Sequence, residues 1–247
     1  MIYVSGDPHG DVGRFQLLYQ QGEGRFTVAD TLIFAGDFGY TCAPDGPRYK
    51  RERLDDLAAR PYTICFCDGN HEDFAALNSY PVAEWNGGLV HVIRPNILHL
   101  MRGQCYTIEG KTILTLGGAY SRDAYIRQRG VDWFPEEELY TPADYATTAA
   151  TLKAVGNRVD YVISHTCPSE IIRRMGKIPD PHDAQMTGHF EWVMYELGNS
   201  FRQWIFGHWH LDEQITDRFR CVWFDLLALT DDPDGEGKGY TVVATGT

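Results

Sequence analysis

The chain has 247 residues and a formal net charge of -12, a balance that opposes tight binding to long duplex nucleic acid through a broad basic surface. Its 43% hydrophobic and 23% charged content fits a folded globular protein and excludes a disordered tail. A small anionic substrate stays compatible with this charge, because bound metal ions bring local positive charge that a side-chain count leaves out.

Ile2 to Ser5 reads as a first strand, and the spacing of Val12, Phe15, Leu18 and Tyr19 predicts a helix after it. The N-terminus enters that strand directly, without a basic segment and long apolar stretch of the signal-peptide kind. No window of about 18 apolar residues occurs, so a cytoplasmic protein with no membrane partner is expected. Leu32 to Ala35 predicts a second strand, residues 49 to 60 a charged helix with Leu54, Leu57 and Ala58 on one face, and Tyr62 to Cys67 a third strand. This alternation implies parallel pairing with right-handed crossovers. From about residue 80 to 118 the pattern changes to short strands, Leu89 to Ile93, Ile97 to Met101, Gln104 to Ile108 and Lys111 to Leu116, with Glu109-Gly110 as a hairpin signal.

Residues 119 to 141 read as one long irregular loop, of a length that is usually functional or disordered, and residues 117 to 123 follow a strand directly, a position suited to lining a site. A helix over Pro142 to Val155 follows, with proline early, where its missing N–H costs nothing. Tyr161 to Ser164 predicts a strand, residues 169 to 200 partial helix broken at Pro179-Asp180-Pro181, and Gln203 to Phe206 another strand. Glu213 to Ile215 with Arg220 to Phe224 reads as a hairpin, Asp231 to Gly239 as a polar turn, and Tyr240 to Ala244 as the last strand. The cysteines form no CxxC pair; Cys65 and Cys67 share one strand face, and buried free thiols are expected there over a zinc site.

Five short motifs stand just past strand-like runs: Asp7-Pro8-His9, Gly36-Asp37, Gly69-Asn70-His71-Glu72, Ser164-His165-Thr166-Cys167-Pro168 and Gly207-His208-Trp209-His210. Loops at strand ends are where α/β proteins put their chemistry. Together the motifs offer the carboxylates of Asp7 and Asp37, the amide oxygen of Asn70 and the imidazoles of His9, His165, His208 and His210, a ligand set for two metal ions. Mixed nitrogen and oxygen donors without thiolate suit Mn, Fe, Zn or Co and do not choose among them. Taken singly, such an Asp reads as a helix N-cap and such a His as a core or surface side chain. Glycines at 6, 36, 69 and 207 fit ligands that leave a strand in a tight turn.

In this order the motifs DxH, GD, GNH(E), a lone H and GHxH make the sequence resemble the calcineurin-like metallophosphoesterase superfamily. The resemblance implies one α/β domain over residues 1–247, two mixed β-sheets packed as a sandwich flanked by helices, with the site at the strand ends. It implies one metal on Asp7, His9, Asp37 and His210, and a second on Asp37, Asn70, His165 and His208, so that Asp37 bridges and is catalytic. Two divalent ions about 3.5 to 4 Å apart repel; a shared carboxylate with a bridging hydroxide offsets that and makes a nucleophile at neutral pH. His71 would stand beside the metals, contacting the phosphate or protonating the leaving oxygen. Glu72 reads as a helix-start residue or a carboxylate that orients a neighbour.

The implied activity is metal-dependent hydrolysis of a small phosphate ester, monoester or diester. Two other readings stay open. A binding scaffold of the same fold would be expected to lose ligands or His71, and all are present. A nuclease acting on short or single-stranded ends has the low basic charge against it. The protein Ser/Thr phosphatase branch carries Asp-Arg-Gly soon after GD; here Phe38-Gly39-Tyr40-Thr41-Cys42 follows, so that branch is not expected. Arg122, Arg127 and Arg129 of the long loop are the candidates to grip phosphate instead, against a plain reading of each as a solvated surface charge. Trp133, Phe134, Tyr140 and Tyr145 either stack on substrate or pin the loop to the domain. His91 and His99 fall in strand pattern, and His182 and His189 read as helix-surface or loop residues.

Overall fold

The computed structural model describes residues 1–11, 13, 26–231 and 239–245. The helix expected from Val12 to Tyr19, and most of the turn expected from Asp231 to Gly239, lie outside them. The strands are β1 (Ile2–Ser5), β2 (Thr31–Phe34), β3 (Thr63–Phe66), β4 (Val82–Trp85), β5 (Gly88–Arg94), β6 (Ile97–Leu100) and β7 (Cys105–Ile108). They continue as β8 (Lys111–Leu116), β9 (Tyr161–Ser164), β10 (Gln203–Phe206), β11 (Glu213–Thr216), β12 (Phe219–Cys221), β13 (Leu226–Leu229) and β14 (Tyr240–Ala244). The described helices are α1 (Arg48–Ala58), α2 (Phe74–Leu77), α3 (Pro142–Ala154), α4 (Ser169–Arg174) and α5 (Ala184–Leu197), with a 3₁₀ turn at Ala124–Ile126. None is long and apolar enough to cross a membrane.

Two mixed sheets form. The first has the order β14-β13-β1-β2-β3-β6-β5-β4 and the second β11-β12-β10-β9-β8-β7. Each has a parallel centre, β1, β2, β3 and β6 in one and β8, β9, β10 and β12 in the other, with antiparallel strands at its edges. The central strands are buried along their whole length because both of their faces are covered. Alternation assigns the faces. Ile2, Val4, Ile33 and Cys65 of the first sheet meet Ile113, Tyr161, Ile163 and Ile205 of the second in the inter-sheet core. The opposite faces pack under helices: Leu32, Phe34 and Phe66 against Leu54 and Leu57 of α1, and Val162, Trp204 and Phe206 against Leu152 of α3 and Phe190 and Val193 of α5. The layering is helix, sheet, sheet, helix.

Strand ends agree with the sequence expectation to within a residue or two, the usual scatter of such boundaries. Glu109 and Gly110 have φ of 47° and 77°, the left-handed pair that a two-residue hairpin turn needs, and close the β7–β8 hairpin. Helix α3 starts with a reciprocal capping box between Thr141 and Asp144 and has Pro142 in its first turn. Three elements were not expected. Strand β4 pairs with β5 across Asn86-Gly87, whose φ of 51° and 93° mark another tight hairpin turn. The short α2 is capped by the Asp73 side chain, which accepts from the Ala76 amide. Strand β13 begins where the expected strand from Arg220 to Phe224 has already ended at Cys221. The reason is Asp212, whose carboxylate accepts from the amides of Trp223, Phe224 and Asp225 and turns the chain out of the second sheet, so that β13 joins β1 in the first.

Candidate metal centre

The five motifs stand at the carboxyl ends of parallel strands β1, β2, β3, β9 and β10, where the two sheets meet. Local backbone conformation aims the side chains. Among the described residues seven non-glycines have positive φ, and four of these are His9 (49°), Asp37 (49°), His208 (66°) and His210 (52°). Left-handed backbone at a non-glycine costs about 1 kcal/mol or more, so its concentration at one site needs compensation. Hydrogen bonds supply part of it: the His9 amide donates to the Asp37 carbonyl at 2.8 Å, the His208 amide to Asp7 Oδ2 at 2.8 Å, and the His71 amide to Asp37 Oδ1 at 2.8 Å. The neighbouring glycines serve mainly by size rather than by backbone freedom. A Cβ on Gly69 would sit 2.0 Å from Asp37 Oδ1 and one on Gly207 2.1 Å from Asp7 Oδ1; only Gly36 of the four also has a positive φ.

The donor atoms converge in two groups. In the outer group His9 Nε2 lies 3.0 Å from His210 Nε2, and His210 Nε2 lies 3.4 Å from Asp7 Oδ2. In the inner group Asn70 Oδ1 lies 3.0 Å from His165 Nε2 and 3.1 Å from His208 Nδ1. Asp37 Oδ2 stands between the groups, 3.6 Å from His9 Nε2 and 3.4 Å from His165 Nε2. Donors on one ion with bonds of about 2.1 Å lie roughly 3.0 to 3.4 Å apart in octahedral or tetrahedral geometry; the spacings in both groups fall in that range except the 3.6 Å between Asp37 and His9. Asp7 also approaches His165, at 3.8 Å, but through Nδ1. That nitrogen faces the Ala35 carbonyl at 2.9 Å. Donation there places the proton on Nδ1 and leaves the Nε2 lone pair toward Asn70 and Asp37, so His165 belongs with the inner group.

Electrostatics favour a cation. Asp7 and Asp37 are both buried. Burial pushes Asp7 up to about 7, with His165 opposing and Asp37 adding to the rise. Burial also works against ionised Asp37, but His165 overrides it and holds the carboxyl well below the usual range. Burial would lower His165, yet Asp37 beside it raises the ring to about 10. With no cation between them, Asp7, Asp37 and His165 share protons; a bound metal ion would supply the positive charge instead and free the His165 Nε2 lone pair. Burial pushes His9 down to about 4 and, with His165 adjacent, His208 far down, keeping both in the neutral form that ligates. The site opens on one side: the His9 and His210 side chains are 33% and 44% exposed, whereas His165 is fully enclosed.

Around the donors sit residues that orient them. Glu72 is buried and its two oxygens accept from the amides of Phe38 and Gly39 at 2.7 and 3.3 Å, fixing the turn that carries Asp37. It is therefore the orienting carboxylate of the two readings, and Asp73 takes the helix start. Burial, with Asp37 nearby, pushes Glu72 up to about 8. His71 lies beside the donors: its Nε2 is 3.0 Å from Asn70 Nδ2 and 3.2 Å from Arg127 Nη2, and burial lowers its pKa. Of the three loop arginines, Arg127 alone reaches His71, anchored by Asp123 at 2.6 Å. Arg122 packs over the Trp209 ring, 5.0 Å from its centroid, and Arg129 pairs with Glu136 at the surface.

Two orienting residues were not assigned a role from the sequence, although Ser121 falls in the stretch from 117 to 123 expected to line the site. Asn70 Nδ2 lies 3.2 Å from Ser121 Oγ, and that hydroxyl donates to Glu138 Oε2 at 2.6 Å. The chain sets which way the amide points: nitrogen to Ser121, oxygen to His165 and His208. No motif spacing marks Ser121 or Glu138, because both lie in the irregular segment between β8 and α3.

The remaining aromatic and histidine candidates pin structure. Phe134 meets Phe74, Tyr140 meets Phe190, Tyr145 meets His189, and the Trp133 indole faces Glu138. His182 stacks on Tyr120 and His189 on Trp192. His91 and His99 stack across β5 and β6 at a 6° interplanar angle, and His99 reaches Asp68. All six cysteines are free; burial raises Cys65 and Cys67, as expected of inert thiols.

A family model described as calcineurin-like phosphoesterase matches residues 1–212. Among solved structures the chain is similar to a phosphopantetheinyl hydrolase from Mycobacterium tuberculosis, with 17% identity over 90% of this chain and 87% of that one, at a TM-score of 0.41. No curated protein matches. With the family model covering all five motifs and most of its length, the chain belongs to the calcineurin-like phosphoesterase family, whose members generally work with divalent metals.

Proposed function

We propose that the chain hydrolyses small phosphate esters with a dinuclear metal centre, one ion on Asp7, His9, Asp37 and His210 and the other on Asp37, Asn70, His165 and His208. The observation that carries this reading is the place of Asp37 Oδ2, 3.6 Å from His9 Nε2 in one group and 3.4 Å from His165 Nε2 in the other. Bound ions supply Lewis acidity at the phosphoryl oxygens and lower the pKa of a water toward neutrality. The protein's own part is positional. Glu72 fixes the turn of Asp37, Ala35 fixes the tautomer of His165, and Ser121 fixes the amide of Asn70, so the donors need no rearrangement as charge develops. Arg127 presents its guanidinium beside His71, where a phosphoryl oxygen entering from the open side would meet it; it takes the role of the arginine missing after Asp37. Burial on its own keeps His71 neutral; an anionic phosphoryl group entering beside it would raise its pKa, so that it can give a proton to the departing oxygen.

The test is a comparison of leaving groups with Mn present. His71→Ala should slow alkyl phosphate hydrolysis by about a hundredfold, within the range of general-acid contributions, and should slow 4-nitrophenyl phosphate far less, because an activated phenolate departs unprotonated. Equal slowing of both would remove the proton-donor role of His71. Equal background rates for wild type and Asp37→Asn on every ester would remove the enzyme reading and favour a scaffold.

A further inference from the structure

A cavity adjoins the candidate metal centre on the side of His9. It encloses about 280 Å³ and is lined by His9, Tyr40, Tyr49, Lys50 and Arg53, together with Gly10 and Gly39. The two glycines bring the first and second motif loops into backbone contact: a Cβ on Gly10 would lie 2.7 Å from the Gly39 carbonyl oxygen. Lys50 and Arg53 project from the same face of α1, three residues apart. Arg53 donates to the Gly10 carbonyl at 3.2 Å, with its guanidinium over the Tyr49 ring. Arg48 of the same helix pairs with Glu52. Among the described residues neither Lys50 nor Arg53 has a carboxylate within ion-pairing distance, and no acidic residue lines the cavity. In a chain of net charge -12, two uncompensated cations beside a metal centre mark a place for an anion.

We propose that this cavity is a subsite for a second phosphoryl group, and that the substrates are pyrophosphate-linked, such as nucleoside diphosphates; the proposal rests on the phosphoesterase reading above. His9 forms part of both the donor set and the cavity wall, so a group in the cavity is a direct neighbour of one at the metals. Lys50 and Arg53 would receive the departing phosphate. Water's oxygen forms the new bond to the phosphorus at the metal centre, and the anhydride P–O bond breaks. Its electron pair stays on the bridging oxygen of the phosphate at Lys50 and Arg53, and the water proton leaves to solvent. Cations at that oxygen stabilise the charge it acquires.

The experiment measures kcat/KM for ADP and for 4-nitrophenyl phosphate with Mn, in wild type, Lys50→Ala, Lys50→Glu and Lys50→Arg. Wild type should prefer ADP. The ratio of the two values should fall about tenfold in Lys50→Ala, as expected for loss of one charged contact, fall further in Lys50→Glu, and persist in Lys50→Arg. A ratio unchanged in Lys50→Ala and Lys50→Glu, with the aryl phosphate still hydrolysed, overturns the subsite alone. Failure of wild type to hydrolyse either compound, or bis-aryl phosphate, removes the phosphoesterase reading and the subsite with it.

Discussion

Ser121 and Glu138 stand behind the candidate metal centre, and their chain to Asn70 gives a prediction at the scale of single side chains. Removing the Ser121 hydroxyl leaves Asn70 Nδ2 with its contact to His71 and frees the amide to turn, placing a nitrogen donor where an oxygen must face His165 and His208. Ser121→Ala should weaken metal affinity by about tenfold or more, the usual cost of losing an outer partner of a ligand, with the fold intact; titration of metal-stripped protein with Mn measures this. Ser121→Thr should retain affinity. The seven candidate donors were legible because type, order and spacing recur together; the backbone strain at four of the motif residues was not, since an Asp or His at positive φ carries no local mark. Ser121, Glu138 and Arg127 act at a distance in sequence, through contacts that only packing creates.

The strand pair β5–β6 carries a titration that the metal centre does not need. His91 and His99 approach through their Nδ1 atoms at 2.9 Å, and His99 Nε2 lies 3.1 Å from Asp68. Burial, with His99 beside it, pushes His91 from 6.5 down to about 4. The folded pKa is the lower one, so below about 6.5 the unfolded chain binds the proton first. The stability that neutral His91 contributes is complete above that pH and is lost as the pH falls toward about 4. The loss is on the order of 2 to 3 kcal/mol. Urea midpoints of chelator-treated protein at pH 7 and 4.5 should therefore drop more in wild type than in His91→Gln, and equal drops would contradict the assignment. Asp68 is also held below the usual carboxylate range: burial would raise it, and Arg102 and His99 override that. Arg102 donates to the Glu137 and Leu139 carbonyls at 2.6 and 2.7 Å, tying the segment after β8 to the end of β3. Its length set it apart in the sequence; its anchor did not show there.

Across the whole molecule the site exists because two sheets, each with a parallel centre, bring their carboxyl ends together. The alternation of strands and helices over the first third made the first sheet legible, and the resemblance supplied the second. Strand β4 was missed although Asn86-Gly87 is a strong hairpin signal, since Val82 to Trp85 is largely exposed and shows no apolar alternation. Strand β13 was missed because a continuous apolar run reads alike in a strand and a buried helix. The cationic cavity at Lys50 and Arg53 could not be read from sequence: α1 shows them as ordinary charges on a helix, and only folding sets them beside His9. At this scale Asp37 carries most, since it serves both donor groups while Asn70 serves one as a neutral ligand. Asp37→Asn should accordingly cost more metal and more turnover than Asn70→Ala.

The central claim is the dinuclear centre, and elemental analysis of the dialysed protein tests it most directly. Wild type offered Mn, Fe, Co or Zn under non-chelating conditions should retain two ions per chain and Asp37→Asn no more than one; a wild-type content below one for every metal would contradict the account.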